Sequence, residues 1–231
     1  MATHKQDTFI YSTDKEVVIG ENLHRQIAGK LKLYQDPSSI KKIKALGAKI
    51  AGVCGRKEIS YYFYIIDRDE NNAFCTPGGY VYIYKGLLDL LTADDEIAFV
   101  LAHEVGHLVA RHSIKRLQAA LGYNLLILAS LPMEKSPQFY EGISIALAQI
   151  VSAYSREDEF KADEMAVKYT KLAGFSPEAG IDVLEKLYQE HKKDSARPLS
   201  YFRTHPYIAQ RIKHIKQTLG MPLSISDYMN D

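Results

Sequence analysis

Only two cysteines, Cys54 and Cys75, occur in the 231 residues. That excludes a disulfide framework and a cysteine-rich metal site, and leaves either one bridge or two small apolar core residues. An excess of either charge is also lacking: 29 Lys+Arg against 28 Asp+Glu leave a formal net charge of +1. No global field draws the chain to nucleic acid or to an acidic membrane, so no nucleic-acid partner is expected. Lys41, Lys42, Lys44 and Lys49 have the spacing of a solvated helix face. No stretch of 18 uninterrupted apolar residues is present, and no membrane span is expected. Met1 to Thr8 holds no apolar core of signal-peptide length, which predicts a cytosolic protein or a mature, trimmed form. With no internal repeat and no low-complexity linker, residues 1–231 read as one domain with weakly ordered tails at 1–13 and 221–231.

What is present is an ordinary globular composition, 46% hydrophobic and 25% charged. A chain of this length buries a core without metal or disulfide staples. Apolar residues Val17, Val18, Leu23, Ile27 and Leu31 predict a helix over about 14–32. Asp36-Pro37 breaks the chain, and Ile40, Ile43, Leu46 and Ile50 predict a second helix ended by Gly52 and Gly55. Ile59 to Ile66 is β-branched and aromatic, and Tyr80 to Tyr84 alternates at period two, so both read as strands. Polar Asp67 to Asn72 and the Pro77-Gly78-Gly79 turn connect them into a small antiparallel sheet. Its tyrosine face is expected to be partly open, and its edge able to accept a peptide strand. The rest reads as helices, so the fold class is α+β, mostly helical.

Thr92 caps a helix that runs to about His112. Two apolar segments, Leu117 to Leu131 and about Tyr140 to Tyr154, read as buried core helices around a loop at Pro132 to Gln138 that could gate a cleft. Peripheral membrane or envelope association through this 117–151 hairpin is the second reading. Further helices follow from Glu157 to Leu172, after Ser176-Pro177-Glu178, and after Thr204-His205-Pro206.

One run carries chemistry: Val100-Leu101-Ala102-His103-Glu104-Val105-Gly106-His107-Leu108-Val109. Residues four apart on a helix lie one above the other, so His103 and His107 can aim two imidazoles at one metal ion. Glu104 sits about 100° round, within reach of a water held there. The pattern points to metal-assisted hydrolysis; two satisfied core histidines are the bland alternative. Zinc with two histidines needs one more protein ligand and an open position. The third histidine of the extended signature is absent, since position 110 is Ala and 113 is Ser. His112 falls about 180° round the same helix from His103 and is assigned to the surface. Glu159 is the better candidate, with Asp163 at i+4 able to reach a ligating histidine. A solvated acidic face with Glu157, Asp158 and Glu164 competes with that reading. His205, just before Pro206, reads either as a helix-capping histidine or as a site residue.

These motifs, in order, resemble the HtpX/CAAX-prenyl-protease type of zinc metallopeptidase, within the gluzincins. Leu101 to His112 carries the likeness, joined upstream by Asn72-Ala73-Phe74, Pro77 to Val81 and Gly86-Leu87-Leu88. Downstream it is carried by Ser155-Arg156-x-x-Glu159-x-x-Ala162-Asp163, Thr204-His205-Pro206 and Arg211-Ile212. The resemblance implies a zincin-like domain with one zinc ion per chain on His103, His107 and Glu159, and Glu104 as the catalytic base. It implies Asp163 as partner to a ligating histidine and His205 as the transition-state histidine. It implies that the strand from Gly79 binds substrate backbone, with Asn72, Gly79, Tyr80, Val81 and Tyr82 as the substrate-binding set. Arg211 reads either as orienting His205 or Asp163 or as decorating a helix. Family members that process prenylated proteins span membranes several times, whereas this chain resembles a minimal, soluble branch of bacterial envelopes, periplasmic or lipoprotein-like, with the cytoplasm as the alternative. The function expected is zinc-dependent endoproteolysis of extended or misfolded polypeptides. A slow-turnover, chaperone-like module on the same fold is the alternative, and the oligomeric state is open.

Overall fold

The structure, a computed structural model, describes residues 12–121, 153–193, 200–224 and 227. The gating loop at 132–138, the apolar hairpin beyond Leu121 and most of both tails lie outside those residues. Helix α1 spans Thr13–Lys30, with Ser12 as its cap and Asp14 and Glu16 in the first turn, where acids complement the helix dipole. Its buried stripe is Glu16, Ile19, Gly20, Leu23 and Ile27; Val18, expected inside, faces solvent. Helix α2 spans Pro37–Val53, started by the Asp36 side chain, which accepts from Ser39 N–H, and by Pro37 at the first turn.

Three strands follow: β1 (Tyr62–Ile66), β2 (Ala73–Thr76) and β3 (Tyr80–Tyr84). The expected antiparallel pair is corrected to a mixed sheet of order β1-β3-β2, with β3 parallel to β1 and antiparallel to β2. The unforeseen strand β2 is the reason. Its four residues are all buried, so they show no alternation to read, yet β2 hairpins to β3 and leaves β1 to pair with the other side. β3 is therefore the central strand, not an edge. Gly79 accepts from Tyr62 N–H at 2.9 Å, and Tyr80, Val81 and Tyr82 pair with both neighbouring strands, so none offers a free edge to substrate. The strands that end the sheet are β1 and β2.

Both faces of the sheet are covered. Phe63, Ile65, Ala73, Cys75, Val81 and Ile83 join the main core with α2. The other face, Phe74, Tyr80, Tyr82 and Tyr84, packs on Ile19, Leu23 and Ile27 of α1. His24 of α1 stacks against Tyr64 and Tyr80, with ring centroids at 4.5 and 4.8 Å. Of the tyrosine face expected to be partly open, α1 covers β3 along its whole length, while Tyr62 of β1 stays exposed. A Cβ at Gly20 would lie 2.0 Å from the Pro77 carbonyl oxygen, so glycine there lets the α1 backbone touch the β2–β3 turn. The buried Glu16 carboxylate takes both terminal nitrogens of Arg56, at 2.9 and 2.8 Å, and Arg111 at 2.9 Å.

Helix α3 (Lys85–Leu90) leads to α4 (Asp94–Val109), which is buried almost throughout. Its cap is Ala93 rather than Thr92, and the Glu96 carboxylate accepts from the N–H groups of both. α4 stops at Val109 instead of near His112. Arg111, at φ 58, turns the chain, and α5 (His112–Leu121) starts afresh. The rest comprises α6 (Arg156–Leu172, capped by Ser155), α7 (Ala179–Lys193), α8 (Ser200–Thr204) and α9 (Ile208–Thr218). α6 lies along α4 and touches it at Gly106, where a Cβ would stand 3.0 Å from the Ala162 carbonyl oxygen. The C-terminal stretch is tied back where Lys216 pairs with Asp227 at 2.7 Å. Among the described residues, no helix is long and apolar enough to cross a membrane.

Candidate metal centre

α4 turns His103 and His107 to one side, α6 brings Glu159 to them, and the segment after α8 adds His205. One donor atom from each of the four lies within 4.8 Å of the others, and all four residues are buried. His103 Nε2 and His107 Nε2 are 3.1 Å apart. Glu159 spans the pair, with Oε2 3.5 Å from His103 Nε2 and Oε1 3.4 Å from His107 Nε2. Donors bound tetrahedrally at ~2.0–2.1 Å are ~3.3–3.4 Å apart, so this triangle has the size that a small divalent cation requires. Two imidazoles and a carboxylate are a fitting donor set for one. His205 Nδ1 lies 3.3 Å from His103 Nε2 and 3.0 Å from Glu159 Oε1, while its Nε2 faces the Ala73 carbonyl of β2 at 3.3 Å. Gly106, next to His107, is what lets α6 carry Glu159 this close.

A second layer orients these donors. Asp163, one turn after Glu159, stands 2.9 Å from His103 Nδ1, so His103 donates there and presents Nε2 inward. Arg211 of α9 is fully buried. It grips Asp163 through Nε at 2.8 Å and Nη2 at 2.7 Å, and reaches Glu159 through Nη1 at 2.8 Å. Burial alone would raise the Glu159 carboxyl, but Arg211 and His205 hold it well below the usual range. Burial and Arg211 push the His103 imidazole down, yet Asp163 and Glu159 outweigh them and hold it up at about 9. His103 thus carries a proton that a bound cation would displace. Burial pushes the His107 imidazole well below its ordinary value, leaving a neutral ligand.

Glu104 follows His103 on α4 and is fully buried. Neither carboxylate oxygen accepts a hydrogen bond of ordinary geometry; Oε1 is 3.4 Å from His205 Nε2. A buried carboxylate without an ordinary hydrogen bond is costly and calls for an explanation.

Three neighbours were not foreseen. Tyr154 lies face to face with the His107 ring, centroids 3.8 Å apart, beneath the Arg116 guanidinium at 4.0 Å. Its hydroxyl is 3.9 Å from Cys75 Sγ. Cys75 on β2 is a free, buried thiol, as is Cys54; burial and then Glu104 push the Cys75 thiol well up. The third is His112, which the sequence assigned to the surface. It is 4% exposed, with Nδ1 2.9 Å from His107 Nδ1. The surface assignment assumed one unbroken helix, and the turn at Arg111 voids that geometry. Tyr154 and Cys75 adjoin motif residues in sequence, but only the fold says which way they face. Of the substrate set, only Asn72 lies beside the centre: its Oδ1 accepts from Ala73 N–H at 2.9 Å and from the Thr204 hydroxyl at 3.2 Å.

Residues 37–219 match the family described as Peptidase family M48. The chain belongs to that family. The M48 domain is also similar to the β-barrel assembly-enhancing protease of Escherichia coli K12, 27% identical over 212 residues, covering 87% of this chain and 43% of that protein. It is 28% identical over 172 residues to the mitochondrial metalloendopeptidase OMA1 of Schizosaccharomyces pombe, covering 74% of this chain and 50% of the relative. With the metalloprotease LoiP of Escherichia coli K12 it shares 30% identity over 185 residues, covering 76% and 67%. The chain thus spans about half the length of the first two relatives. Membership makes this a metallopeptidase domain, and the cluster on α4, α6 and the His205 segment is the group of its described residues able to hold the metal.

Proposed function

We propose that the chain is a zinc metalloendopeptidase cleaving extended or misfolded polypeptides, with one zinc ion held by His103, His107 and Glu159. The observation that carries this reading is a buried donor triangle of cation size with the unpartnered Glu104 carboxylate beside it. When bound, zinc supplies Lewis acidity, bringing the pKa of water towards ~7 and polarising a peptide carbonyl. Glu104 takes the proton of the attacking water and passes it to the leaving amine. His205, with Nδ1 turned to the cluster, donates to the developing oxyanion. β2 ends the sheet on the side of the centre and receives the substrate backbone as an added strand, which selects extended chains over particular sequences. Asn72 ties the start of that strand to the His205 segment. The narrower likeness to the HtpX/CAAX-prenyl-protease type rests on the motifs alone. A relative named for β-barrel assembly supports the bacterial cell envelope as the setting.

The test is casein hydrolysis by wild type beside Glu104→Gln, with zinc measured on both. The variant should keep its zinc and lose about 10²–10⁴-fold in rate. Equal activity in the two would sink the mechanism, and no hydrolysis by zinc-loaded wild type would leave the slow-turnover binding module as the better reading.

A further inference from the structure

We propose that His112 is a positioning residue of the metal centre: its Nδ1 accepts the Nδ1 hydrogen of His107, which fixes Nε2 of His107 as the nitrogen free to bind metal. The assignment rests on the metal-site reading above and adds a residue to it. The two Nδ1 atoms stand 2.9 Å apart, so exactly one hydrogen lies between them. His112 turns its other nitrogen, Nε2, to the Asp158 carboxylate at 3.2 Å. A histidine that binds metal does so as a neutral ring, and two neutral rings each carry one N–H.

Two arrangements are possible. If the shared hydrogen belonged to His112, its Nε2 would aim a lone pair at the Asp158 carboxylate, and His107 would aim an N–H at the metal cluster. That sets lone pair against negative charge at 3.2 Å and blocks a ligand atom. If the hydrogen belongs to His107, every group is matched: His112 Nε2–H donates to Asp158, His112 Nδ1 accepts from His107, and His107 Nε2 is bare where His103 and Glu159 converge. The Asp158 carboxylate therefore sets the tautomer of a ligand two residues away in a chain of three side chains. Asp158 stands beside Glu159 in sequence, so the first turn of α6 serves both ends of the centre. On the other ligand Asp163 plays the matching part directly, with no imidazole between.

Zinc affinity, read by competition with a chromophoric chelator near neutral pH, tests this without any need for turnover. His112→Leu removes the acceptor and should weaken zinc binding about 10–100-fold. His112→Gln offers a side-chain oxygen to the same N–H and should recover affinity to within about 3-fold of wild type. Asp158→Ala changes a partly exposed side chain that the fold tolerates, and should weaken binding by several-fold. Long-range proton–nitrogen spectra of the zinc-free protein should find His107 protonated at Nδ1. Wild-type affinity in both His112→Leu and Asp158→Ala, or a His107 ring protonated at Nε2, would overturn the assignment; if His112→Leu does not fold, Asp158→Ala and the spectra decide. Weakened zinc binding in a protein that never cleaves casein would leave the His112 assignment standing and remove only the proposed function.

Discussion

At the scale of single residues, the centre separates into groups whose loss has different signatures. Glu159→Ala deletes a donor, so zinc affinity should fall by more than the ~10–100-fold typical of an orienting partner; a titration at full affinity would remove Glu159 from the ligand set. His205→Phe keeps a ring of similar size in a fully buried place, and turnover on casein should drop about 10²-fold with zinc retained. Loss of the metal instead would reassign His205 as a ligand. The sequence made His103, Glu104 and His107 legible because helical periodicity alone converts a spacing of four into a shared face. Glu159 and Asp163 were legible by the same rule once a third donor was needed. His112 was not, because a single left-handed residue at Arg111 changes where every following side chain points. Tyr154 and Cys75 carry no periodic signal at all; Cys75 meets Glu104 through the packing of β2 against α4, and Tyr154 meets His107 from the segment that leads into α6.

Among the elements, close approach is what builds the site. α4 and α6 meet where Gly106 faces the Ala162 carbonyl, and no side chain fits between them. Gly106→Val should force the helices apart, costing about 1–3 kcal/mol in stability and zinc affinity with it. A variant with unchanged urea midpoint and zinc binding would show that this contact does not set the spacing of the ligands. α1 makes the second clamp. Glu16 binds Arg56, which also donates to the Leu108 carbonyl at the end of α4 at 3.0 Å, so α1 is pinned to the ligand helix through one buried guanidinium. Glu16→Ala leaves that buried charge only the exposed Glu58 carboxylate, 2.9 Å from Nε, and should destabilise the fold by about 3 kcal/mol in urea unfolding. Helix positions were largely readable from apolar periodicity and from the Asp36-Pro37 break, whereas the cap expected at Thr92 lies at Ala93. Strand order was not, because β2 is too short and too uniformly buried to announce itself, and its presence inverts which strand forms the edge.

For the whole molecule, the metal and the fold are coupled. In the proposed centre the donors come from α4 and α6, and the residues that orient them from α5, α6 and α9, so cation binding would draw together parts of the chain distant in sequence. Zinc at 100 times its dissociation constant adds about 2.7 kcal/mol to stability, worth roughly 5–10 °C in melting temperature for a chain of this size. Stripping the metal should lower the melting temperature by that amount, and an unchanged melting curve would argue against occupancy of the centre. The same enclosure has a kinetic side. Every member of the His103, His107, Glu159 and His205 set is at most 1% exposed, so neither a chelator nor a peptide reaches the ion by collision alone. Release then waits on an opening fluctuation of the surrounding shell. The rate of zinc loss to excess chelator should level off as chelator concentration rises, at a plateau set by the protein's own clock.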